Sequence, residues 1–521
     1  MNVTTSSMES LWGLGDSYRL AATTVLALTV LLAVYFFGTG REKTKNPPML
    51  DEIIPFFSNT FQFAANRTNF LARTYKALET RNILGFYLGG NKSFLLTGGQ
   101  NTQAFFRNSP SIGFERSFLY AFQNMTGATP DDLAKFANDK SGRSNTPLPG
   151  TEDTGNMYQQ FFSEEMDAHF PLGEWTEVNM LAMLKLRMTK AGILTFQGKR
   201  IFEAVPDIID LAWEFDAISQ NIFFGPPKWL FRGSYAIRDR FSGAVARFQD
   251  DAMERFDWDG ADAEADWEPV FGSRFSREFA RWMRDSGFSS FTRGGLVGTV
   301  GIIATNANTI PVATWALIHI LTNPHLLPHL RSELTPATTS DPATGTPKFD
   351  IPTLLSTPLL QSIYTETLRL HVSVMITRDV VAPFDVEGYV LPKGSILQAP
   401  MGFAHLREGV WGVEGHPASE FWAERHLKTV NGERVFEMAG KGADFSPYGG
   451  GIPMCPGRHF AKQEIMLTVA MLVSKFEFEF VEWVKKDGTR SDRPPKNDSR
   501  YEASGGMPPD VDMKVRMKRI W

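Results

Sequence analysis

Apolar residues recur at helical spacing through most of the chain, and short alternating stretches separate the helical segments. This pattern predicts helices at 66–79, at 274–286 and through most of 156–256. It predicts short strands at 85–88 and 93–97, which a glycine-containing turn joins into a hairpin. The predicted fold is therefore mainly α with small β-sheets.

An uncharged apolar run occupies residues 20–37 near the N-terminus. Roughly 18 residues at about 1.5 Å each reach roughly 27 Å, which is enough to cross a thin bilayer. Arg41, Lys43 and Lys45 follow the run, whereas a cleaved signal peptide has its basic residues before it. The positive-inside rule then places the N-terminus in the lumen and the rest of the chain in the cytosol. The predicted divisions are a lumenal N-terminus (1–19), a transmembrane anchor (20–40), a basic, proline-containing hinge (41–48) and one large domain (49–521).

A second long apolar stretch, residues 294–321, contains no Asp, Glu, Lys or Arg. Its length would suit another membrane span. Gly301, Asn306, Asn308 and Pro311 favour instead a helix at the centre of a soluble fold, with a local distortion between the last two. Buried amides need partners, so we expect ordered water or a ligand beside this helix.

Two irregular stretches lie between the helical segments. Residues 107–152 are rich in Ser, Pro, Gly and Asn, and we predict a long functional loop whose Phe residues line an apolar pocket. The break at 225–227 precedes Trp229, Leu230 and Phe231. For these three residues, contact with a membrane and packing onto the core are both open.

Composition excludes several classes of protein. The net charge of −5 gives no sign of a nucleic-acid partner, and 42 Phe predict a large aromatic core. One cysteine excludes a disulfide framework or a zinc site of several thiolates. His325 and His329 are four apart, but Pro328 lies between them and no third ligand is near. The chain also lacks a P-loop and a dinucleotide-binding glycine motif, so no nicotinamide or flavin domain is built in.

The single cysteine, Cys455, lies in a stiff loop at 445–460. Three consecutive glycines let the backbone approach a flat ligand, while Pro453 and Pro456 restrict the chain on either side of the thiol. The apolar helix that follows favours a thiolate through its N-terminal N–H groups. A buried, inert cysteine is the alternative.

This loop resembles the cysteine-ligand loop of the cytochrome P450 family. The resemblance implies a haem cofactor (iron protoporphyrin IX) with Cys455 as the axial ligand of the iron. It also implies a cytochrome P450 fold behind a single N-terminal transmembrane helix, with 49–521 as the haem-thiolate catalytic domain. The family's usual basic residue two before the cysteine is Pro453 here. The positions that the resemblance assigns to cofactor binding are Cys455, Arg378, Tyr448, Gly449, Gly451, Gly457 and His459, the last of which is also compatible with an ordinary histidine.

The 294–321 segment resembles the family's distal helix. Ala304 occupies the position of a small residue, Ala307 that of an acid and Asn308 that of an alcohol. With Thr309, they form the catalytic candidates. The run is similar to that of the branch containing cholesterol 7-alpha-hydroxylase, which hydroxylates, and prostacyclin synthase, which isomerises without consuming oxygen.

The remaining resemblance concerns a structural network and the pocket. Glu366 and Arg369 share a helix face, and with Arg425 they match the family's buried Glu-Arg-Arg network. The resemblance also implies that four residues of strands and turns in the C-terminal half of the chain face the substrate. They are Val372, Val374, Ile376 and Met507.

The implied activity is insertion of one oxygen atom into a lipophilic, polycyclic molecule such as a terpenoid, steroid or polyketide. The motifs are similar to those of filamentous fungi that make secondary metabolites. Electrons would come from NADPH-cytochrome P450 reductase, docked near Arg458 and Lys462, at the endoplasmic reticulum membrane. Two alternatives stay open: a haem-thiolate isomerase or dehydratase that needs neither O2 nor a reductase, and a haem-free membrane scaffold or lipid-binding protein.

Overall fold

A computed structural model describes residues 46–54, 57–107, 110–139, 151–223, 225–340, 345, 347–438 and 440–521. The predicted lumenal segment and transmembrane anchor lie outside the described residues. Pro47–Glu387 and Leu391–Trp521 form one compact unit, and the described residues outside it are Asn46 and a short turn and strand at 388–390. This unit carries the two largest sheets, the helical core and the candidate site.

The described α-helices are numbered in chain order. They are α1 (Ser58–Ala65), α2 (Arg67–Leu78), α3 (Gly99–Phe106), α4 (Glu115–Thr126), α5 (Pro130–Ala137), α6 (Thr151–His169), α7 (Met180–Gln197), α8 (Arg200–Ala204), α9 (Ile208–Ile222), α10 (Arg232–Arg255), α11 (Arg274–Asp285), α12 (Ser290–Leu296), α13 (Ala304–Asn306), α14 (Thr309–Leu321), α15 (Leu326–Leu334), α16 (Ile351–Ser356), α17 (Pro358–His371), α18 (Met401–Ala404), α19 (Glu408–Trp411) and α20 (Arg458–Lys475).

The strands are short apart from three. They are β1 (Ile83–Leu88), β2 (Asn91–Leu96), β3 (Ile112–Gly113), β4 (Trp175–Asn179), β5 (Trp267–Glu268), β6 (Gly272–Ser273), β7 (Thr338–Ser340), β8 (Pro347–Phe349), β9 (Val372–Val380), β10 (Phe384–Val386), β11 (Tyr389–Leu391), β12 (Ile396–Pro400), β13 (Leu427–Val430), β14 (Glu433–Phe436), β15 (Phe476–Lys485), β16 (Arg490–Ser491), β17 (Ser504–Gly506) and β18 (Val511–Arg519).

The largest sheet has the strand order β1-β2-β12-β9-β17, and β3 adds to β9. Antiparallel pairing of β17 with β9 sets Ser504 opposite Val374 and Gly506 opposite Val372. A second sheet, with the order β16-β15-β18-β4, holds the C-terminus. The first sheet therefore brings a segment near the C-terminus beside β9, more than a hundred residues earlier in the chain.

The local predictions near the start of the domain are confirmed. The helix expected at 66–79 is α2, and the side chain of Asn66 caps it by accepting from the Asn69 N–H at 2.9 Å. The expected hairpin is β1–β2, in which Leu88 pairs with Asn91. Gly89 and Gly90 form its turn with φ of 55° and 79°, conformations that glycine adopts without steric cost.

The prediction that 107–152 is irregular is wrong for most of the described part. This stretch contains β3, α4 and α5. Its turn-forming residues act as helix caps: Gly127 ends α4 at φ 72°, and the Thr129 side chain accepts from the Asp132 N–H at the start of α5. The strand β4 within the predicted helical region was also missed.

The apolar stretch 294–321 lies in the core, as predicted. Within the described ranges, one run is long and apolar enough to cross a membrane, Ser290–Leu321, and 61% of its most apolar window is buried inside the fold. The helix is not continuous: a π-helical segment, Val297–Ile303, precedes α13, and Ala307 and Asn308 form a turn before α14. The distortion therefore begins earlier than predicted, and Pro311 sits in the first turn of α14, where its missing N–H costs little.

Candidate active site

The Cys455 loop is closed by its own backbone. The Cys455 N–H donates to the Tyr448 carbonyl at 3.0 Å, and the Met454 N–H donates to Gly451 at 3.2 Å. Gly449 and Gly451 have φ of 74° and 73°, so both use the left-handed conformation that glycine favours. A free, half-buried thiol results, three residues before α20 begins.

Opposing influences act on this thiol. Burial raises the pKa of Cys455, whereas backbone N–H donors from Gly457 and Arg458, and the Arg458 charge, lower it. Burial is the larger influence. A thiolate here therefore needs one more positive partner, which a ligated metal ion would supply.

Arg378 on β9 reaches the same loop. Its guanidinium donates to the Gly450 carbonyl at 2.8 Å and to the Thr377 carbonyl at 2.9 Å. Burial lowers its pKa, and the charge of Glu115 opposes that shift. A buried cation whose hydrogen-bond partners among the described residues are neutral carbonyls fits an anionic ligand group such as a haem propionate. His459, in contrast, is exposed.

Tyr448 ties the loop to α17. Its hydroxyl lies 2.6 Å from the hydroxyl of Tyr364, and both rings are largely buried. Burial raises the pKa of both phenols, so both stay neutral and one donates to the other. The carbonyl of Tyr448 also accepts from Cys455, so the pair positions the thiol through the backbone.

The structure brings Glu366, Arg369 and Arg425 into one buried network. Arg369 forms a bidentate pair with Glu366, with both distances 2.8 Å, and Arg425 Nε donates to Glu366 Oε1 at 2.7 Å. Burial would raise the pKa of Glu366, but Arg369, His426 and Arg425 together lower it below its ordinary range. His426, whose Nε2 lies 3.2 Å from Glu366 Oε2, is a member that the sequence reasoning missed.

This network anchors the segment before the cysteine loop. Arg369 donates to the carbonyls of His405 and Ala418, and Arg425 to that of Trp411. His405 is itself fully buried: its Nε2 accepts from the Ser446 N–H, so Nδ1 carries the proton toward the Val372 carbonyl. His405 is thus an ordinary satisfied histidine, and it fixes the start of the loop against β9.

At the break in the central helix, Asn308 contacts β17. Its Oδ1 accepts from the Gly506 N–H at 2.8 Å. Ala304 and Asn308 are exposed although most of the central helix is buried, so they line open space, while Ala307 is half-buried. Thr309 is buried and turns away, and its hydroxyl donates to the Thr305 carbonyl at 3.0 Å. The four distal candidates therefore do not share one face.

The predicted pocket residues lie on and beside β9. Val372 and Ile376 are buried and Val374 is half-buried. Met507 is buried: its carbonyl accepts from Trp315 Nε1 and its N–H donates to His371, both at 2.8 Å. β9 and β17 thus lie beside Asn308, and a Cβ on Gly506 would come within 2.8 Å of the Asn308 carbonyl oxygen.

Two further groups were missed in the sequence. His319 and His371 share a hydrogen bond of 2.8 Å between their Nε2 atoms, and Asn497 Oδ1 accepts from His371 Nδ1 at 2.6 Å. Glu464 on α20 is fully buried. A carboxyl amid the apolar run 464–473 was a visible signal, whereas nothing in the spacing joined His319 to His371.

Comparison with known proteins places the chain among one set of enzymes. The profile of the family described as Cytochrome P450 matches residues 275–495. The chain is 41% identical to cytochrome P450 monooxygenase calL of Penicillium decumbens, over 95% of this chain and 97% of that protein. It is 27% identical to cytochrome P450 monooxygenase fsoE of Humicola fuscoatra, over 92% and 89% of the two chains. A human 7-alpha-hydroxycholest-4-en-3-one 12-alpha-hydroxylase is 27% identical over 41% of this chain and 43% of its own.

Proposed function

Since the chain belongs to the cytochrome P450 family, and is therefore a haem-thiolate oxidoreductase of the monooxygenase class, we propose that it oxidises a lipophilic, polycyclic small molecule in secondary-metabolite biosynthesis. Terpenoids, steroids and polyketides are lipophilic, polycyclic molecules of this kind. The observation that supports this proposal best is the side chain of Asn308, which is exposed at the break in the otherwise buried central helix and is fixed by Gly506.

The residues around Cys455 fit the cofactor. Cys455 would ligate the iron, Arg378 would bind a propionate, and Gly449 and Gly451 would let the loop backbone lie close to the macrocycle. When bound, a thiolate-ligated haem supplies activation of dioxygen for insertion of one oxygen atom into a C–H bond. The chain's own contribution is to hold the thiol, through Tyr448, and to shape the space in front of Asn308.

The orientation of Asn308 constrains the substrate. Its Oδ1 is occupied by the Gly506 N–H, and its Nδ2 makes no hydrogen bond with a described residue. The amide therefore offers a free donor, and the exposed Ala304, one helical turn earlier, adds apolar surface beside it. We infer a mainly hydrocarbon substrate that carries an oxygen acceptor, a hydroxyl or a carbonyl.

A reductase and a membrane are proposed as partners. Arg458 is half-buried beside the cysteine loop, where Ile452 is 71% exposed, so this surface suits docking of NADPH-cytochrome P450 reductase. Lys462 is the weaker candidate, because it donates to Gln361 and is half-buried.

Attachment to the endoplasmic reticulum membrane, with the catalytic domain in the cytosol, is supported by exposed apolar residues. Trp229 and Leu230 are 69% and 59% exposed, while Phe231 packs on the core. Ile53, Ile54, Phe57 and Phe61 are exposed shortly after the hinge segment.

The cofactor assignment is tested by the carbon monoxide spectrum of the reduced protein. Wild type supplied with haem should give the thiolate-shifted Soret band, and Cys455→Ala should lose it. His459→Ala, which changes an exposed neighbour, is the control and should keep it. A band retained by Cys455→Ala would refute the ligand, and its absence from wild type would favour a haem-free membrane protein.

An isomerase or dehydratase is a second candidate, because Ala307 provides no acid and the amide of Asn308 does not ionise. Metabolite profiles with and without the protein should identify the substrate. Turnover of that substrate is then compared with and without O2 and NADPH. Dependence on both supports the monooxygenase, and full anaerobic turnover without NADPH would establish the isomerase.

A further inference from the structure

A cluster of buried polar atoms on the inner face of α1 has no assigned role. Asn59 is fully buried, and its Oδ1 accepts from the Arg73 guanidinium of α2. Three atoms of the cluster are buried without a hydrogen-bond partner among the described residues: Asn59 Nδ2, Arg73 Nε and the Oε1 of Gln62, one helical turn after Asn59. Buried polar atoms are normally hydrogen-bonded. Two donors and one acceptor on neighbouring side chains therefore indicate a polar ligand or internal water.

The cluster carries one positive and one negative charge. The Arg73 guanidinium is positioned by Asn59 and by the Phe70 ring, whose centroid lies 6.0 Å from its Cζ. The Glu52 carboxylate accepts from the Asn59 N–H at 3.3 Å, so it borders the same residue. An inorganic anion would be attracted by Arg73 and repelled by Glu52, whereas a zwitterion offers an opposite charge to each. The charges therefore favour a ligand with both an anionic and a cationic group.

Large apolar side chains flank this cluster in the chain. Four of them, between 59% and 96% exposed, come from the turn before α1 and from its outer face: Ile53, Ile54, Phe57 and Phe61. The turn is closed by Ser58, whose Oγ accepts from the Ile54 N–H at 2.6 Å and donates to the Ile54 carbonyl at 3.0 Å. Exposed apolar residues of this size beside polar groups are typical of a surface that contacts lipid. Acyl chains would cover these side chains and bring a headgroup to α1.

The unpartnered acceptor distinguishes between headgroups. A phosphate group accepts hydrogen bonds and therefore suits the two donors, Asn59 Nδ2 and Arg73 Nε. Gln62 Oε1 needs a donor, which the primary ammonium of ethanolamine provides and the trimethylammonium of choline does not. Arg73 and Gln62 are half-buried, so the cluster borders solvent and a headgroup can reach it. A single water molecule would also satisfy the three atoms, but it would leave the exposed apolar residues uncovered.

We propose that a phospholipid with a primary ammonium group, of the phosphatidylethanolamine type, binds at α1. Its phosphate accepts from Arg73 and Asn59. Its ammonium donates to Gln62 and lies near the charge of Glu52, and its acyl chains contact the four exposed apolar residues. The inference rests on the proposed attachment to the endoplasmic reticulum membrane and adds to it. A transmembrane anchor would hold the chain in any bilayer, whereas this site selects one headgroup.

Native mass spectrometry of the full-length holoenzyme in detergent tests the site. The dioleoyl forms of phosphatidylethanolamine, phosphatidylcholine and phosphatidylglycerol are added in equal amounts. Wild type should retain a single molecule of the ethanolamine lipid with about tenfold preference over the other two. Arg73→Gln should reduce that retention about tenfold, because a charged hydrogen-bond donor is lost. Arg81→Gln, which changes an exposed arginine just after α2, is the control and should match wild type. Equal retention of the three lipids by wild type, or undiminished retention by Arg73→Gln, would overturn the proposal.

Two further variants separate the polar contacts from folding. Asn59→Asp keeps the acceptor for Arg73 but replaces the free donor by a negative charge, so it should lose the lipid while its haem spectrum stays unchanged. Gln62→Leu removes the acceptor and should abolish the preference for ethanolamine over choline. A wild-type preference in both variants would refute the assigned contacts.

Soluble ligands and vesicles distinguish the lipid from other occupants. Inorganic phosphate and glycerophosphoethanolamine lack acyl chains and should be retained far less than the lipid, and equal retention of either would overturn the assignment to a lipid. No retained lipid in wild type would leave internal water as the occupant and refute the proposal. Flotation with phosphatidylcholine vesicles tests membrane attachment separately. If wild type does not float, the attachment fails, and the measurement in detergent still decides the headgroup.

Discussion

The Oδ1 of Asn308 accepts from the Gly506 N–H at 2.8 Å, so the break in the central helix is joined to a strand almost two hundred residues later in the chain. The contact fixes which end of the amide faces the open space. It also satisfies a backbone N–H in β17, which pairs with β9 on its other edge. An alcohol at position 308 would lack the reach and the second polar atom that make this arrangement.

Asn308→Ala should lower the free energy of unfolding by about 1–3 kcal/mol, because the buried Gly506 N–H loses its acceptor. Asn308→Asp keeps an acceptor at the same distance and should restore most of that loss. Chemical denaturation of both variants measures the difference. Equal destabilisation by the two substitutions would contradict the role of the Asn308 oxygen.

Gly505→Ala should lower turnover by more than backbone strain alone would. A Cβ at this position would collide with the Asn308 side chain, and φ is 144°. We expect altered product distribution or loss of turnover. Gly488→Ala is the matched control, because its φ of 84° imposes strain of about 1–3 kcal/mol while nothing lies within 4 Å. The two variants should therefore differ in turnover even if they are similarly destabilised.

Arg425→Ala should cost about 3–5 kcal/mol and impair haem retention, since it leaves the buried charge of Glu366 with one guanidinium fewer. Arg434→Ala, which breaks the exposed pair with Glu424, should cost less than about 1 kcal/mol. Thermal unfolding and the haem content of purified protein measure both effects. A loss of turnover with full haem content and wild-type stability would point to a direct chemical role for Arg425.

Removing one hydroxyl of the Tyr364–Tyr448 pair should destabilise the protein by more than half of the loss caused by removing both hydroxyls. Tyr364→Phe leaves a largely buried phenol without its partner, at a cost of about 1–3 kcal/mol, whereas the double Phe variant removes both polar groups. A double-mutant cycle on unfolding free energy should therefore give a favourable coupling energy. Strict additivity would indicate that the hydroxyls do not bond to each other.

Stability should fall as the pH is lowered from about 6.5, because burial lowers the pKa of His371 and of His405 to about 3. The unfolded chain then binds protons that the folded protein excludes, and each histidine contributes a loss of about 2 kcal/mol by about pH 5. Asp216, whose pKa burial raises to about 6, acts in the opposite direction. His405→Gln should therefore flatten the curve of stability against pH, and the exposed control His329→Gln should not.

Local chemistry made part of the architecture predictable. Asn66 and the Gly89–Gly90 turn act through neighbours in the chain, so α2 and the β1–β2 hairpin could be located from the sequence. The stretch after residue 107 could not, because the same Gly and Thr residues that form loops also cap helices. Which role they take depends on whether the intervening apolar residues are buried in a core. In α4, Phe122 packs into such a core.

The family, the stiff loop around Cys455, the Glu366–Arg369 spacing and the burial of the 294–321 segment follow from contiguous residues. Three contacts follow only from the packing of the chain: Asn308 accepts from Gly506, His426 contacts Glu366 and Tyr364 contacts Tyr448. These contacts join residues far apart in the chain. Their partners are set by how the helices and the sheet pack around one core, and no local pattern of residue types encodes that packing.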